Sequence, residues 1–253
     1  MAIKLVISGC CGRMGQAIAR AALQDSVFSV SAAVEASGHE ALGKDFGVIL
    51  GRPAPLGVRV SEDARAALGQ GDVLIEFTLP EVTLAHVQLA QPLRKPMVIG
   101  TTGLGAPQQE ALRAASKIIP IVFSPNMSVG VTVLFELARA AVQQLGPGYD
   151  VEIVEAHHRH KKDAPSGTAK RLAEVVASAR HETPEAIPVH AIRAGEIVGD
   201  HTVIFAGPAE RLELTHRAQG REVFAQGALR AARFVVTQPP GLYDMSHVLR
   251  QET

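Results

Sequence analysis

The feature that most constrains this chain is the alternation, over roughly its first half, of short continuous apolar runs with amphipathic stretches. Residues 4–8, 28–34, 73–77, 96–99 and 119–123 read as strands, and residues 13–23, 81–90 and 107–116 as helices. In the first helix Met14, Ile18, Ala21 and Ala22 share one face. Strand–helix–strand units of this kind build a parallel sheet with helices on both sides, so its strands are apolar on both faces. Residues 36–57 are rich in Gly and Pro and read as loop.

The pattern changes after Asn126. A long apolar helix is expected over 129–144, a strand over 151–156, and a helix that Ser166 caps and that runs to about residue 179. Three successive strand candidates, 189–194, 201–205 and 211–216, imply a mixed or antiparallel sheet, and a last helix spans 225–236. The expected fold class is α/β, in two domains. A Rossmann-like doubly wound parallel sheet takes residues 1–126. A C-terminal α+β domain with a mixed or antiparallel sheet takes 127–228. Residues 229–253 are expected to pack back onto the first domain.

Composition narrows the function classes. The 253 residues carry 25 basic and 25 acidic side chains, so the basic excess of a nucleic-acid binder is missing. No apolar run reaches the length of a membrane span, and the N-terminus enters a strand without the regions of a signal peptide. The two cysteines, Cys10 and Cys11, are adjacent and cannot staple the fold. These features suit a cytoplasmic protein with reduced thiols, without nucleic-acid or membrane partners.

Directly after the first strand comes Gly9-Cys10-Cys11-Gly12-Arg13-Met14-Gly15, and then a helix. Glycines at this turn let the backbone approach a pyrophosphate, and the helix N-terminus supplies N–H groups and a positive dipole end. Glu35 closes the second strand, where an acid can bond the adenosine ribose hydroxyls. Glu35 repels a 2′-phosphate and Ala36 offers no cation to offset it, which favours NADH. Arg13 keeps NADPH open. Gly100, Thr101 and Thr102 follow one strand, and Ser124, Pro125, Asn126 and Met127 another; both segments suit a carboxamide and ribose at the carboxyl ends of an open sheet.

The second chemical signal is Glu155-Ala-His157-His158-Arg-His160-Lys161-Lys-Asp-Ala-Pro-Ser166-Gly167-Thr168. His157 and His158 leave a strand in succession and should face opposite sides. A histidine near its pKa is a proton donor at neutral pH, Lys161 can offer a proton or a charge, and Gly167 and Thr168 open a helix that can hold a carboxylate. The set points to an anionic substrate protonated at one atom while a hydride reaches another. No metal is expected: His157 and His160 have ligand spacing, but Lys161 beside them opposes a cation.

The segments GCCGRMG, EFTLPEVTLAH, VIGTTG, FSPNMSVGV, EAHHRHKKDAPSGTA, IRAGEIVGDHT, LTHRAQGREVFAQGALRAA and GLYDM together closely resemble the dihydrodipicolinate reductase family, in the family's order and over nearly the whole chain. The resemblance implies NAD(P)H-dependent reduction of 4-hydroxy-tetrahydrodipicolinate, a small cyclic dicarboxylate, to tetrahydrodipicolinate with loss of water, on the diaminopimelate route to lysine. It implies His157 as proton donor and acceptor, Lys161 as proton donor, and His158, Gly167 and Thr168 as substrate ligands. It also implies a cofactor lined by Gly9 to Met14, Glu35, Gly100 to Thr102 and Ser124 to Met127, and a homotetramer built through the second sheet. Three departures stand out. Cys10 and Cys11 replace small residues, Ala36 replaces an Arg of dual-specificity members, and residues 179–192 lack an Arg/Gly-rich loop. The alternatives are another two-domain NAD-dependent dehydrogenase acting on an amino or semialdehyde substrate, and a dinucleotide sensor, which would not need the histidine–lysine set.

Overall fold

A computed structural model describes residues 1–251. The chain divides into two compact units, residues 1–127 with the segment from Phe224 onward, and Ser128–Val223.

In the first unit, strands β1 (Ile3–Ser8), β2 (Phe28–Val34), β3 (Val60–Ser61), β4 (Val73–Glu76), β5 (Met97–Ile99) and β6 (Pro120–Phe123) alternate with helices α1 (Arg13–Ala22), α2 (Phe46–Ile49), α3 (Ala64–Gln70), α4 (Pro80–Ala90) and α5 (Ala106–Ala115). Strands β4 and β5 are buried along their whole length, as befits strands covered on both faces. One core joins Val6, Leu74, Met97, Ile99 and Ile121 to Ala67, Val87 and Leu112 from the helices. Burying side chains of this size contributes about 1.5–3 kcal/mol each.

The expected loop over 36–57 contains α2. Asp45 makes that single turn: its carboxylate accepts from the N–H groups of Gly47, Leu56 and Gly57 at 2.7–2.8 Å. Those bonds hold the carboxyl below its ordinary range even against the opposing effect of burial.

The second unit contains α6 (Val129–Leu145), β7 (Asp150–His157), α7 (Gly167–Arg180), β8 (Val189–Arg193), β9 (Gly199–Ala206) and β10 (Arg211–Ala218). Its sheet has the order β10-β9-β7-β8; β7 runs antiparallel to β9 and parallel to β8. Ser128 and Ser166 cap α6 and α7, each side-chain oxygen accepting from the N–H three residues on. The inner face of β7, with Val151 and Ile153, packs with Phe205 and Val203 of β9 and with Leu134, Leu172 and Val176 of the helices. Between α7 and β8 there is only a short 3₁₀ turn, Pro184–Ala186.

The chain then forms α8 (Glu222–Val235), β11 (Gly241–Tyr243) and α9 (Met245–Arg250). Strand β11 pairs parallel with β6, Leu242 opposite Ile121. The first sheet thus has the order β11-β6-β5-β4-β1-β2-β3, with every pairing parallel. Strand order reverses between β1 and β4. Ligands of open parallel sheets sit outside the carboxyl ends of the strands at such a reversal. Among the described residues no helix is long and apolar enough to cross a membrane.

Candidate active site

The carboxyl ends of β1, β2, β4, β5 and β6 lead into Gly9–Gly15, Glu35, Phe77–Leu79, Gly100–Gly103 and Ser124–Met127 respectively. The first turn needs its glycines. Gly9 has φ +64°, and a Cβ on Gly15 would lie 2.2 Å from the Gly9 carbonyl oxygen. The backbone closes the turn itself, Cys10 N–H donating to Val34 O and Gly12 N–H to Gly9 O. Glu35 lies against it, one carboxylate oxygen accepting from Cys11 N–H at 2.9 Å and the other from Ala36 N–H at 2.9 Å. Gly12, Arg13 and Ala36 are exposed, and Met14 is half-buried. These are the parts of a dinucleotide-binding turn: a glycine turn before a helix, with an acid at the tip of the next strand.

Beneath it lies a polar cluster that the sequence reading did not single out. Glu76 is fully buried, with one carboxylate oxygen 2.6 Å from His86 Nδ1 and the other accepting from Thr78 Oγ1. Thr101 Oγ1 accepts from Thr78 N–H at 3.1 Å and from Thr83 Oγ1 at 2.9 Å. The cluster ties the loops after β4 and β5 together. Gly100 and Thr101 are buried, Thr102 is exposed, and Gly100 sits so close to the Phe77 ring that a Cβ would be 2.2 Å from it. At the end of β6, Ser124 Oγ donates to Asn126 O at 2.6 Å, Pro125 is exposed and Met127 is buried.

In the second unit, the two-residue period of β7 puts Val151, Ile153, Glu155 and His157 on the buried face. Register explains what surrounds them: Glu155 lies opposite His201 on β9, and His157 opposite Arg193 on β8. Glu155 has no exposure. Its two oxygens accept both terminal nitrogens of Arg193 at 2.8 Å, the Ser166 N–H at 2.9 Å, and His157 Nδ1 at 2.6 Å. Burial alone would raise its carboxyl, but the Arg193, His157 and Ser166 bonds outweigh it and hold the group at about 2. Glu155 is therefore an anion, and it fixes the His157 tautomer with the proton on Nδ1 and a lone pair on Nε2. Burial lowers the His157 pKa, and the Glu155 charge only partly offsets it.

His201 stands edge-on to His157, ring centroids 5.2 Å apart, and its Nε2 is 3.1 Å from the capping Ser166 Oγ. Burial, with the neighbouring His157, pushes it down to about 3. His158, just past the strand, is half-buried near His160. The Nδ1 atoms of His158 and His201 are buried without a protein partner. Lys161 is partly buried, its Nζ 2.8 Å from Asp163 Oδ1. Arg193 joins this turn to the strand through a 2.6 Å bond to Asp163 O. Gly167, the first residue of α7, has no atom within 4 Å of where a Cβ would stand, so the positive end of the helix is open on that side. The cluster thus combines a buried base, a cation, orphaned imidazole nitrogens and the open N-terminus of α7, an arrangement that can hold a carboxylate and move a proton.

Comparison with known proteins follows the same division. The model for the N-terminus of dihydrodipicolinate reductase matches residues 3–127, and that for its C-terminus matches residues 130–249. A 4-hydroxy-tetrahydrodipicolinate reductase of Cupriavidus metallidurans is 45% identical over 98% of this chain and 99% of its own. One of Anaeromyxobacter dehalogenans is 47% identical over 97% of each. Among solved structures, a dipicolinate-bound dihydrodipicolinate reductase from Paenisporosarcina has a TM-score of 0.78 at 24% identity, over 96% of this chain and 98% of that one. An amine dehydrogenase from Mycobacterium smegmatis shares the fold at a TM-score of 0.66 and 14% identity, over 96% of this chain and 94% of that one. With family models spanning both units and relatives this similar end to end, the chain belongs to the dihydrodipicolinate reductase family.

Proposed function

We propose that the chain reduces 4-hydroxy-tetrahydrodipicolinate to tetrahydrodipicolinate with loss of water, on the diaminopimelate route to lysine, using NADH in preference to NADPH. The observation that carries this reading is the His157–Glu155–Arg193 network beside Lys161 and the N-terminus of α7. When bound, the reduced nicotinamide supplies the hydride. Gly9 to Met14 and Glu35 would hold the pyrophosphate and adenosine ribose, and Gly100 to Thr102 and Ser124 to Met127 the nicotinamide half. Gly167, Thr168 and His158 would bind the substrate carboxylates. His157, neutral and with Nε2 free, would take and return the proton involved in water loss and in protonation of the ring, and Lys161 would deliver the second proton. Glu155 does not titrate in this scheme; it orients the imidazole and stabilises its charged form.

The test is to follow NADH and NADPH absorbance with freshly generated 4-hydroxy-tetrahydrodipicolinate, with and without dipicolinate, a planar diacid. Substrate-dependent oxidation that dipicolinate inhibits is the expected result. Activity on an amino or semialdehyde substrate that dipicolinate spares would replace this reading with another dehydrogenase.

Cofactor choice has its own test. Ala36 is exposed beside the Glu35 carboxylate. In Ala36→Arg, a guanidinium there should raise the NADPH-to-NADH ratio of kcat/KM about tenfold, the worth of one modest charge-assisted bond to a 2′-phosphate. An unchanged ratio would show that these two positions do not select the cofactor. Assembly as a homotetramer is part of the same proposal.

A further inference from the structure

The glycine turn carries two adjacent thiols, Cys10 buried in the core and Cys11 half-buried beside it. Its hydrogen bonds run through the backbone, Glu35 and Gln16, whose Nε2 donates to Cys11 O at 2.9 Å. Yet Cys10 and Cys11 are both free, their Sγ atoms are 3.8 Å apart, and with a Glu35 carboxylate oxygen they form a triad of donor atoms within 4.8 Å of one another. We propose that this turn is a dithiol site for a trivalent thiophilic oxyacid, of which arsenous acid is the simplest, and that its occupation excludes the dinucleotide.

The class of ligand follows from burial. Cys10 has no exposed surface and Cys11 is half-buried. Burial raises both thiols above their ordinary range, Cys10 the more strongly and with Cys11 adding to the effect. A divalent metal must expel a proton from each sulfur it binds, and both sulfurs here resist that. Arsenous acid makes no such demand. Two As–S bonds form as two As–O bonds break, each thiol proton leaves with a hydroxyl as water, and the arsenic keeps one hydroxyl and its oxidation state. Neutral reactants give neutral products, so a site that disfavours thiolate does not oppose the exchange. Cys11 is the thiol reached first and Cys10 closes the chelate. The Glu35 carboxylate can accept a hydrogen bond from the remaining As–OH. Exclusion of the dinucleotide rests on the cofactor role proposed above, because the same turn and the same carboxylate would serve both ligands.

The full-length protein is treated with sodium arsenite, desalted, and assayed for bound arsenic, for thiols reactive under denaturing conditions, and for NADH binding by fluorescence titration. The expected result is one arsenic per chain, both thiols masked, and NADH affinity weakened by at least about tenfold, with prior saturation by NADH blocking uptake. Cys10→Ala and Cys11→Ser should retain no arsenic. Cys11 is the less buried, so its variant keeps the test decisive if Cys10→Ala folds poorly. No retained arsenic, equal retention by Cys11→Ser, or unaltered NADH affinity of the loaded protein would overturn the proposal. If the untreated protein binds neither dinucleotide, the cofactor role itself fails and exclusion falls with it; the arsenic count reads the dithiol site separately.

Discussion

His157→Ala and Lys161→Ala should each lower kcat by about 10²–10⁴, the range for removing a positioned general acid or base, with NADH affinity near that of the parent. The expectation for His157 follows from what surrounds it. A surface histidine would be interchangeable with water. This one is held by a carboxylate that has no exposure, so its tautomer and ring plane are set before substrate arrives. His157→Ala removes one of the groups bonded to Glu155 but leaves both Arg193 bonds and the Ser166 N–H in place, so the network should survive. Lys161 lies on the turn rather than in the network, and its ion pair to Asp163 is with a half-exposed carboxylate; its loss should cost little stability. Steady-state rates, NADH titration and thermal melting of both variants separate these effects. Near-parental turnover in both variants, in folded protein, would remove the proton-transfer role from this cluster.

How much of this was legible in the sequence depends on how far each signal reaches along the chain. The parallel strands were visible because burial on both faces makes them continuous apolar runs. Strands β3 and β11 have two and three residues, too few to show any period, and the Ala-rich α3 has seven. The helix α2 was hidden because it depends on Asp45 bonding residues 11 and 12 positions away. In the site, the glycine turn and the histidine–lysine run were visible because each is contiguous. Their supports were not. Arg193 is 38 residues from Glu155, and His201 is brought opposite Glu155 only by strand register. One local signal was there to be used: from Val151 and Ile153, a period of two sends Glu155 to the same inward face as His157. An acid on that face must have a cation or a set of donors. The buried Glu76–His86 pair had no such signal, since its members are 10 residues apart on a strand and a helix.

Arg193→Met should destabilise the protein by about 3–5 kcal/mol at pH 7, because it leaves a buried carboxylate without its main partner. The dependence on pH separates this cause from simple loss of packing. In the parent, Glu155 titrates at about 2 when folded against an ordinary 4.5. Its folded pKa is depressed, so its contribution is fully present above pH 4.5 and is lost as pH falls toward 2. His201, at about 3 against 6.5, acts with the same sign: the unfolded chain takes up its proton first, and stability is lost as pH falls from 6.5 to 3. The parent should therefore weaken steadily in acid. In Arg193→Met the strongest counterweight to burial is gone and the Glu155 carboxyl moves upward. If it passes 4.5, protonation favours the folded state, and the variant recovers part of its deficit as pH falls toward that value. The gap between parent and variant should be widest near pH 7 and narrow by pH 4.5. Urea unfolding followed by circular dichroism at both pH values measures it, and Glu155→Gln in the Arg193→Met background should close most of the gap at pH 7. A deficit of the same size at both pH values would mean that Arg193 acts through its packing, and that the Glu155 charge is not what holds the site in place.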